Sequence, residues 1–293
     1  MAISLEADRT TLAIALAAAA SILDKRPNTI SCTSDSITFL ILILLVGYYF
    51  CLPRTLFNEP YSTVIESKEG NLLGAKIARD GQWRFPAADS VPEKFQQCII
   101  AFEDQHFYYH PGFNPISMWN AFRQNRKANR VVRGGSTLTQ QVIRLSRKGK
   151  NRTYFEKVIE VVLATRLELR HSKKEILKLY AAHAPFGSNV VGLEMASWRY
   201  FGVQSHQLSW AETATLAVLP NAPSLIYPGK NQQRLLEKRN RLLQKLYENK
   251  VLDKLSYEMA LQEPLPQKPF DLPQMAPHLL QKTAKKQEGQ KVK

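Results

Sequence analysis

The chain has 293 residues, room for one large domain or for one domain with a small accessory piece. Its apolar content of 44% is enough to bury a core, which excludes a wholly disordered chain. Lys and Arg number 40 against 25 Asp and Glu, and the resulting net charge of +15 points to a polyanionic partner: nucleic acid, an anionic membrane surface or a phosphate-bearing substrate.

Residues 1–36 read as a disordered or weakly structured leader. The Ala-rich run from Thr11 to Leu23 reads as a second hydrophobic element, as the product of a mis-assigned start, or as part of that leader. Ile37 to Leu52 is a run of sixteen residues without a charge, slightly short of the roughly 20 that a spanning helix uses. Tyr48 and Tyr49 suit the membrane interface, and Arg54 is placed to snorkel. A buried core helix or the apolar stretch of a signal peptide would look similar. No small-residue cleavage site follows Leu52, so residues 37–53 are expected to be a single-pass transmembrane anchor. Arg9, Lys25 and Arg26 on its N-terminal flank favour an inside N-terminus, with the rest of the chain outside the cytoplasmic membrane. Cys32, Cys51 and Cys98 form an odd, scattered set that fits neither a disulfide framework nor a zinc site.

From Ser62 to Pro86, short apolar runs alternate with turn residues such as Lys68-Glu69-Gly70-Asn71 and Asp80-Gly81, which predicts one or two β-hairpins. The pattern then turns helical. Ser90-Val-Pro-Glu93, Ser172-Lys-Lys-Glu175 and Ser209-Trp-Ala-Glu212 each read as a capping box ahead of a helix. After the first, Phe95, Cys98, Ile99 and Phe102 share one face. The helix after Ser209 is expected to stop at Pro220. A basic helix is predicted over Arg234–Tyr247 and a short one over Lys254–Leu261. Residues 264–293 read as a Pro-rich linker and basic tail, with Lys282–Lys293 disordered. The fold class is mainly α, with a body over 62–263 and a β-hairpin region over 62–86.

Three constellations carry chemistry. In Glu103-Asp104-Gln-His-Phe-Tyr-Tyr-His110-Pro-Gly112, two carboxylates end an amphipathic helix, where the helix dipole disfavours them. A solvated helix end is the plain alternative. Arg133-Gly-Gly-Ser136-Thr137-Leu-Thr-Gln140-Gln141 resembles an anion cradle at a helix start, although an ordinary capped turn would read the same. On the helix from Arg152 to Glu168, Lys157 and Glu160 share a face; alone they amount to a surface ion pair.

Taken together, E-D-x-x-F-x-x-H-x-G, G-G-S-T-x-T-Q-Q, a K-x-x-E helix and Ser172-Lys-Lys-Glu-Ile-Leu-Lys-Leu-Tyr180 stand in the order and spacing of the family 51 glycosyltransferases. These are the peptidoglycan polymerase domains of monofunctional transglycosylases and class A penicillin-binding proteins. His183-Ala-Pro-Phe-Gly187, Ala196-Ser-Trp-Arg-Tyr-Phe-Gly202 and Leu219-Pro-Asn-Ala-Pro-Ser224 look like the 1C subgroup. The resemblance covers about Ser62 to His278. It implies a two-lobed, lysozyme-like helical domain that polymerises lipid II into β-1,4 glycan strands and releases undecaprenyl pyrophosphate. It also implies Glu103 as general base and Glu160 as second acid. Asp104, His110, Ser136, Thr137, Gln140, Gln141 and Lys157 would line the substrate, Lys157 on the pyrophosphate. No metal ligands are assigned; a divalent cation, Mg or Mn, is known in some relatives.

Lipid II, the growing glycan strand and the membrane are the implied partners, with room for a transpeptidase or the division and elongation machinery; nucleic acid is not among them. Two residues depart from the family: Glu156 stands where an arginine usually precedes the lysine, and Ala182 where the family has asparagine. No Ser-x-x-Lys transpeptidase motif occurs, which suggests a monofunctional or truncated chain. The departures leave one rival, a catalytically impaired relative acting as a cell-wall scaffold. A nucleic-acid-binding membrane protein and a lytic hydrolase fit the motifs less well.

Overall fold

The computed structural model describes residues 32–130, 134–148 and 153–292, so most of the leader, Arg133 and Arg152 lie outside the described residues. The chain divides into two compact units, residues 1–53 and 54–293. In the first, helix α1 runs Cys32–Phe50 and leaves Ile37, Phe39, Leu40 and Leu44 exposed. Among the described residues no helix is long and apolar enough to cross a membrane. The expected anchor is therefore present as a helix but not as a demonstrated span. Its first turn holds Thr33, Ser34 and Asp35, and only the run after them is apolar.

The second unit opens with one hairpin. Strands β1 (Thr63–Glu66) and β2 (Leu72–Lys76) pair antiparallel, with Thr63 opposite Lys76 and an irregularity between Ile65 and Glu66. A second hairpin does not form. Strand β3 (Trp83–Arg84) instead pairs in parallel with β4 (Val190–Val191), far along the chain. The Trp83 N–H donates to Asn189 O at 2.8 Å, and the buried Arg84 guanidinium donates to Pro60 O at 2.6 Å and pairs with Asp80 at 3.1 Å.

The tail also departs from the sequence expectation. Helix α11 (Pro277–Lys286) packs on β1 and β2, and strand β5 (Lys291–Val292) adds to β1 in parallel. Val64 N–H donates to Gln290 O at 3.0 Å, and Lys291 pairs at 2.7 Å with Glu66, whose side chain is only 6% exposed. One of the lysines that suggested disorder, Lys291, therefore has an acidic partner on β1.

The rest is helical: α2 (Glu93–Glu103), α3 (Pro115–Ala128), α4 (Leu138–Ser146), α5 (Tyr154–Arg170), α6 (Lys173–His183), α7 (Leu193–Phe201), α8 (Trp210–Val218), α9 (Gln232–Glu248) and α10 (Lys254–Gln262). Helix α2 packs on α8 and α9, while α4 packs on α5 and α6. Phe95, Cys98 and Ile99 are buried as their spacing predicts, whereas Phe102 faces a cleft. The boxes at Ser172–Glu175 and Ser209–Glu212 form in both directions. The one at Ser90 does not: α2 begins at Glu93 with Pro92 at its N-cap and no side-chain cap. Proline is favoured at a helix start, and here it shifts the first turn past the serine.

This difference is testable by equilibrium unfolding. Ser172→Ala and Ser209→Ala should each cost about 1 kcal/mol. Ser90→Ala should stay within about 0.5 kcal/mol of the parent, because its hydroxyl caps nothing. A loss at Ser90 equal to the other two would contradict the helix start described.

Candidate active site

The site begins with Asp104, which follows the last residue of α2. Its carboxylate accepts His110 Nε2–H at 2.9 Å and the backbone N–H of Leu138 at 3.0 Å. Leu138 is the first residue of α4, so a negative charge sits where that helix dipole is positive. Gly112 N–H donates to His110 Nδ1 at 3.2 Å, which leaves Nε2 as the proton-bearing nitrogen facing Asp104. Thr137 Oγ1–H then donates to Gly112 O at 2.7 Å. Gly112 has φ +91°, and a Cβ there would lie 2.6 Å from Ala164 O on α5, so only glycine fits. The first two motifs are thus locked together. Asp104 and His110 spend their hydrogen bonds on that lock.

Glu103 is left pointing into the cleft. Its Oε2 accepts Gln141 Nε2–H at 2.8 Å. Its Oε1 is buried and has no hydrogen-bond partner among the described residues. Burial raises the Glu103 carboxyl above its ordinary value; the Gln141 hydrogen bond and the charges of Lys238 and Arg144 oppose that rise, and Asp104 adds to it.

A cationic cluster faces the same cleft. Lys157 Nζ donates to Ser136 Oγ at 2.7 Å and Gln140 Oε1 at 2.8 Å, and lies 3.4 Å from Glu160. Arg144 binds Glu160 through Nε at 2.8 Å and Ser136 Oγ through a terminal nitrogen at 2.9 Å. Burial works against the charge on Glu160, but Arg144 first and then Lys157 outweigh it and hold the carboxyl below its usual value. Lys157 and Glu160 are thus part of a partly buried network rather than a surface pair. Gln140 is fully buried and completes a capping box with Thr137, so it orients Lys157 and does not reach the cleft. Gly135 is required for close approach: a Cβ would come within 3.0 Å of Ala121 Cβ and Met118 Cα on α3.

The cleft has a volume of ≈1510 Å³, lined by Glu103, Asp104, Ser136, Thr137, Gln141, Arg144, Lys157 and Glu160 among others. That exceeds the ~300–1,000 Å³ of ordinary small-molecule pockets and suits an extended substrate. Arg144, Arg147, Lys148 and Lys245 also line it, and the sequence reading singled out none of them as site residues. For Arg144 a signal existed: it lies four residues after Gln140 on a helix opened by a T-x-x-Q box. Glu156, where the family has arginine, pairs with Arg147 at 2.9 Å. Ala182 borders a cavity of ≈20 Å³ beside Lys178 and Glu194. The acids offer a divalent cation a poor ligand set, because Asp104, Glu156 and Glu160 already accept N–H donors.

A family model described as Transglycosylase matches residues 70–247. Penicillin-binding protein 1C of Escherichia coli (strain K12) is 35% identical over 240 residues, 82% of this chain and 31% of that protein. Penicillin-binding protein 1A of Aquifex aeolicus (strain VF5) is 33% identical over 229 residues, 77% of this chain and 31% of that one. The chain therefore spans about a third of the length of these curated relatives. A crystal structure of penicillin-binding protein 1A from Haemophilus influenzae aligns over 79% of this chain and 25% of its own, at 21% identity and TM-score 0.41.

Asp104→Asn tests the lock. The amide puts an NH2 group where Asp104 Oδ1 now lies 3.1 Å from His110 Nε2–H and removes the charge at the start of α4, so stability should fall by about 1–3 kcal/mol in chemical denaturation. An unchanged unfolding midpoint would contradict the role given to Asp104.

Proposed function

This chain belongs to the transglycosylase family, and from that premise we propose that it is a peptidoglycan glycosyltransferase of bacterial cell-wall synthesis. Its substrates are lipid II and the growing lipid-linked glycan strand. The acceptor's 4-hydroxyl attacks the anomeric carbon of the donor, the bond to undecaprenyl pyrophosphate breaks, and an α-linked donor becomes a β-1,4 product.

A sugar hydroxyl is a poor nucleophile at neutral pH, so a base must take its proton as the new bond forms. Glu103 is that base, and the observation that carries the reading is its buried, unpartnered Oε1. Gln141 holds the other oxygen and so fixes the orientation of the carboxylate. The departing pyrophosphate gathers negative charge. Lys157 and Arg144, both held by Glu160 and Ser136, supply the compensating positive charge. Glu160 thereby acts through the cations it aligns. Arg144 takes the place of the arginine that Glu156 displaces.

Lipid-borne substrates suit the rest of the surface. Ile116, Trp119 and Phe122 of α3 and Tyr154, Phe155 and Val158 of α5 are exposed, and Ile116 and Tyr154 border the cleft. With α1 as a single-pass anchor, this face would lie on the outer leaflet of the cytoplasmic membrane, which the net charge of +15 favours.

The test is polymerisation of labelled lipid-linked disaccharide. The protein should make glycan strands, and Glu103→Gln should lower kcat by about 10²- to 10⁴-fold. Because burial raises the Glu103 pKa and the base works ionised, the rate should fall as pH drops through a value above 4.5, the ordinary one for glutamate. Absence of polymer from the parent protein would favour the scaffold reading. Polymer undiminished in Glu103→Gln would remove Glu103 from the mechanism.

A further inference from the structure

Helix α9 carries the basic run predicted over Arg234–Tyr247, and it packs on α2, the helix that ends in Glu103. Lys238 and Lys245 stand two turns apart on one of its faces. Lys245 Nζ donates to the carbonyl oxygen of Ala101, in the last turn of α2. That carbonyl is one of the four that a helix end leaves without an intrahelical partner, and a cation there also suits the dipole. The same side chain borders the cleft. Lys238 Nζ is held by Asn221 Oδ1 at 2.7 Å, and Asn221 lines the cleft beside Pro220.

We propose that Lys238 and Lys245 are positioning residues for Glu103, fixing the last turn of α2 and the charge behind it, rather than contacts for substrate phosphates. The inference rests on the reading of Glu103 as general base. Among the described residues, the groups whose charge or hydrogen bond couples to Glu103 are Asp104 at its own helix end, Gln141 and Arg144 from α4, Tyr180 from α6 and Lys238 from α9. Helix α8 also packs on α2, but its Glu212 interacts with Lys94 at the opposite end. Burial dominates the upward shift of the Glu103 carboxyl, and Lys238 is among the groups opposing it. Lys245 acts through the backbone carbonyl of Ala101 that it caps.

The two lysines should therefore fail differently. Lys245→Met should lower kcat about ten- to hundredfold with KM unchanged, as displacement of a reacting group does, and Lys245→Arg should restore most of the loss. Lys238→Met should move the acid limb of the kcat profile to higher pH, and Lys238→Arg should return it. Thermal unfolding of each variant separates loss of fold from loss of position. A rise in KM with unchanged kcat and an unmoved acid limb would overturn the proposal, because that is the signature of a substrate contact. Carbon-13 NMR titration of the Glu103 carboxyl in the parent and Lys238→Met gives a readout without turnover. An upward shift in the variant supports the proposal and identical titrations refute it, even if the parent makes no polymer and the base assignment itself fails.

Discussion

A buried carboxylate, Asp104, ties the end of α2 to the start of α4, and the geometry of the cleft depends on that tie. It accepts from Leu138 N–H and from His110 at the same time, and His110 is anchored in turn by Gly112. Two motifs 34 residues apart in sequence are thereby held face to face. Adjacent acids at a helix end looked unfavourable from the dipole of α2 alone. The penalty is offset because Asp104 serves as an acceptor at the N-terminus of a second helix.

With that frame fixed, the two remaining acids are driven in opposite directions. Burial raises the carboxyl of Glu103, with a single side-chain donor on its paired oxygen. Glu160 is held down by Arg144 and Lys157 despite its own burial. Divergent environments of this kind give two carboxylates two jobs within one cleft. One is suited to taking a proton and the other to aligning cations. The substitution at Glu156 fits the same scheme, since it neutralises Arg147 and leaves Arg144 beside Lys157.

Much of this was legible before the structure. The capping boxes at Ser172 and Ser209, the apolar face of α2, and the stop before Pro220 follow from local rules and were found as expected. The motif order located Glu103, Ser136, Gln141 and Lys157, which do share one cleft. Most of what failed depended on distant partners. The strand at Trp83 looked local but pairs with Val190. The tail looked disordered because its partner, Glu66, lies more than two hundred residues earlier. Gln140 looked like a substrate ligand, yet it caps α4 from the inside. The lysines of α9 belong to an element whose packing no single-sequence pattern reveals.

The most direct measurement is a crystal structure of the domain with a lipid diphosphate donor analogue. The account predicts the diphosphate against Lys157, Arg144 and Ser136, with the anomeric position within reach of an acceptor held at Glu103 Oε1. A diphosphate bound elsewhere, with Glu103 and Lys157 on opposite sides of a barrier, would contradict it.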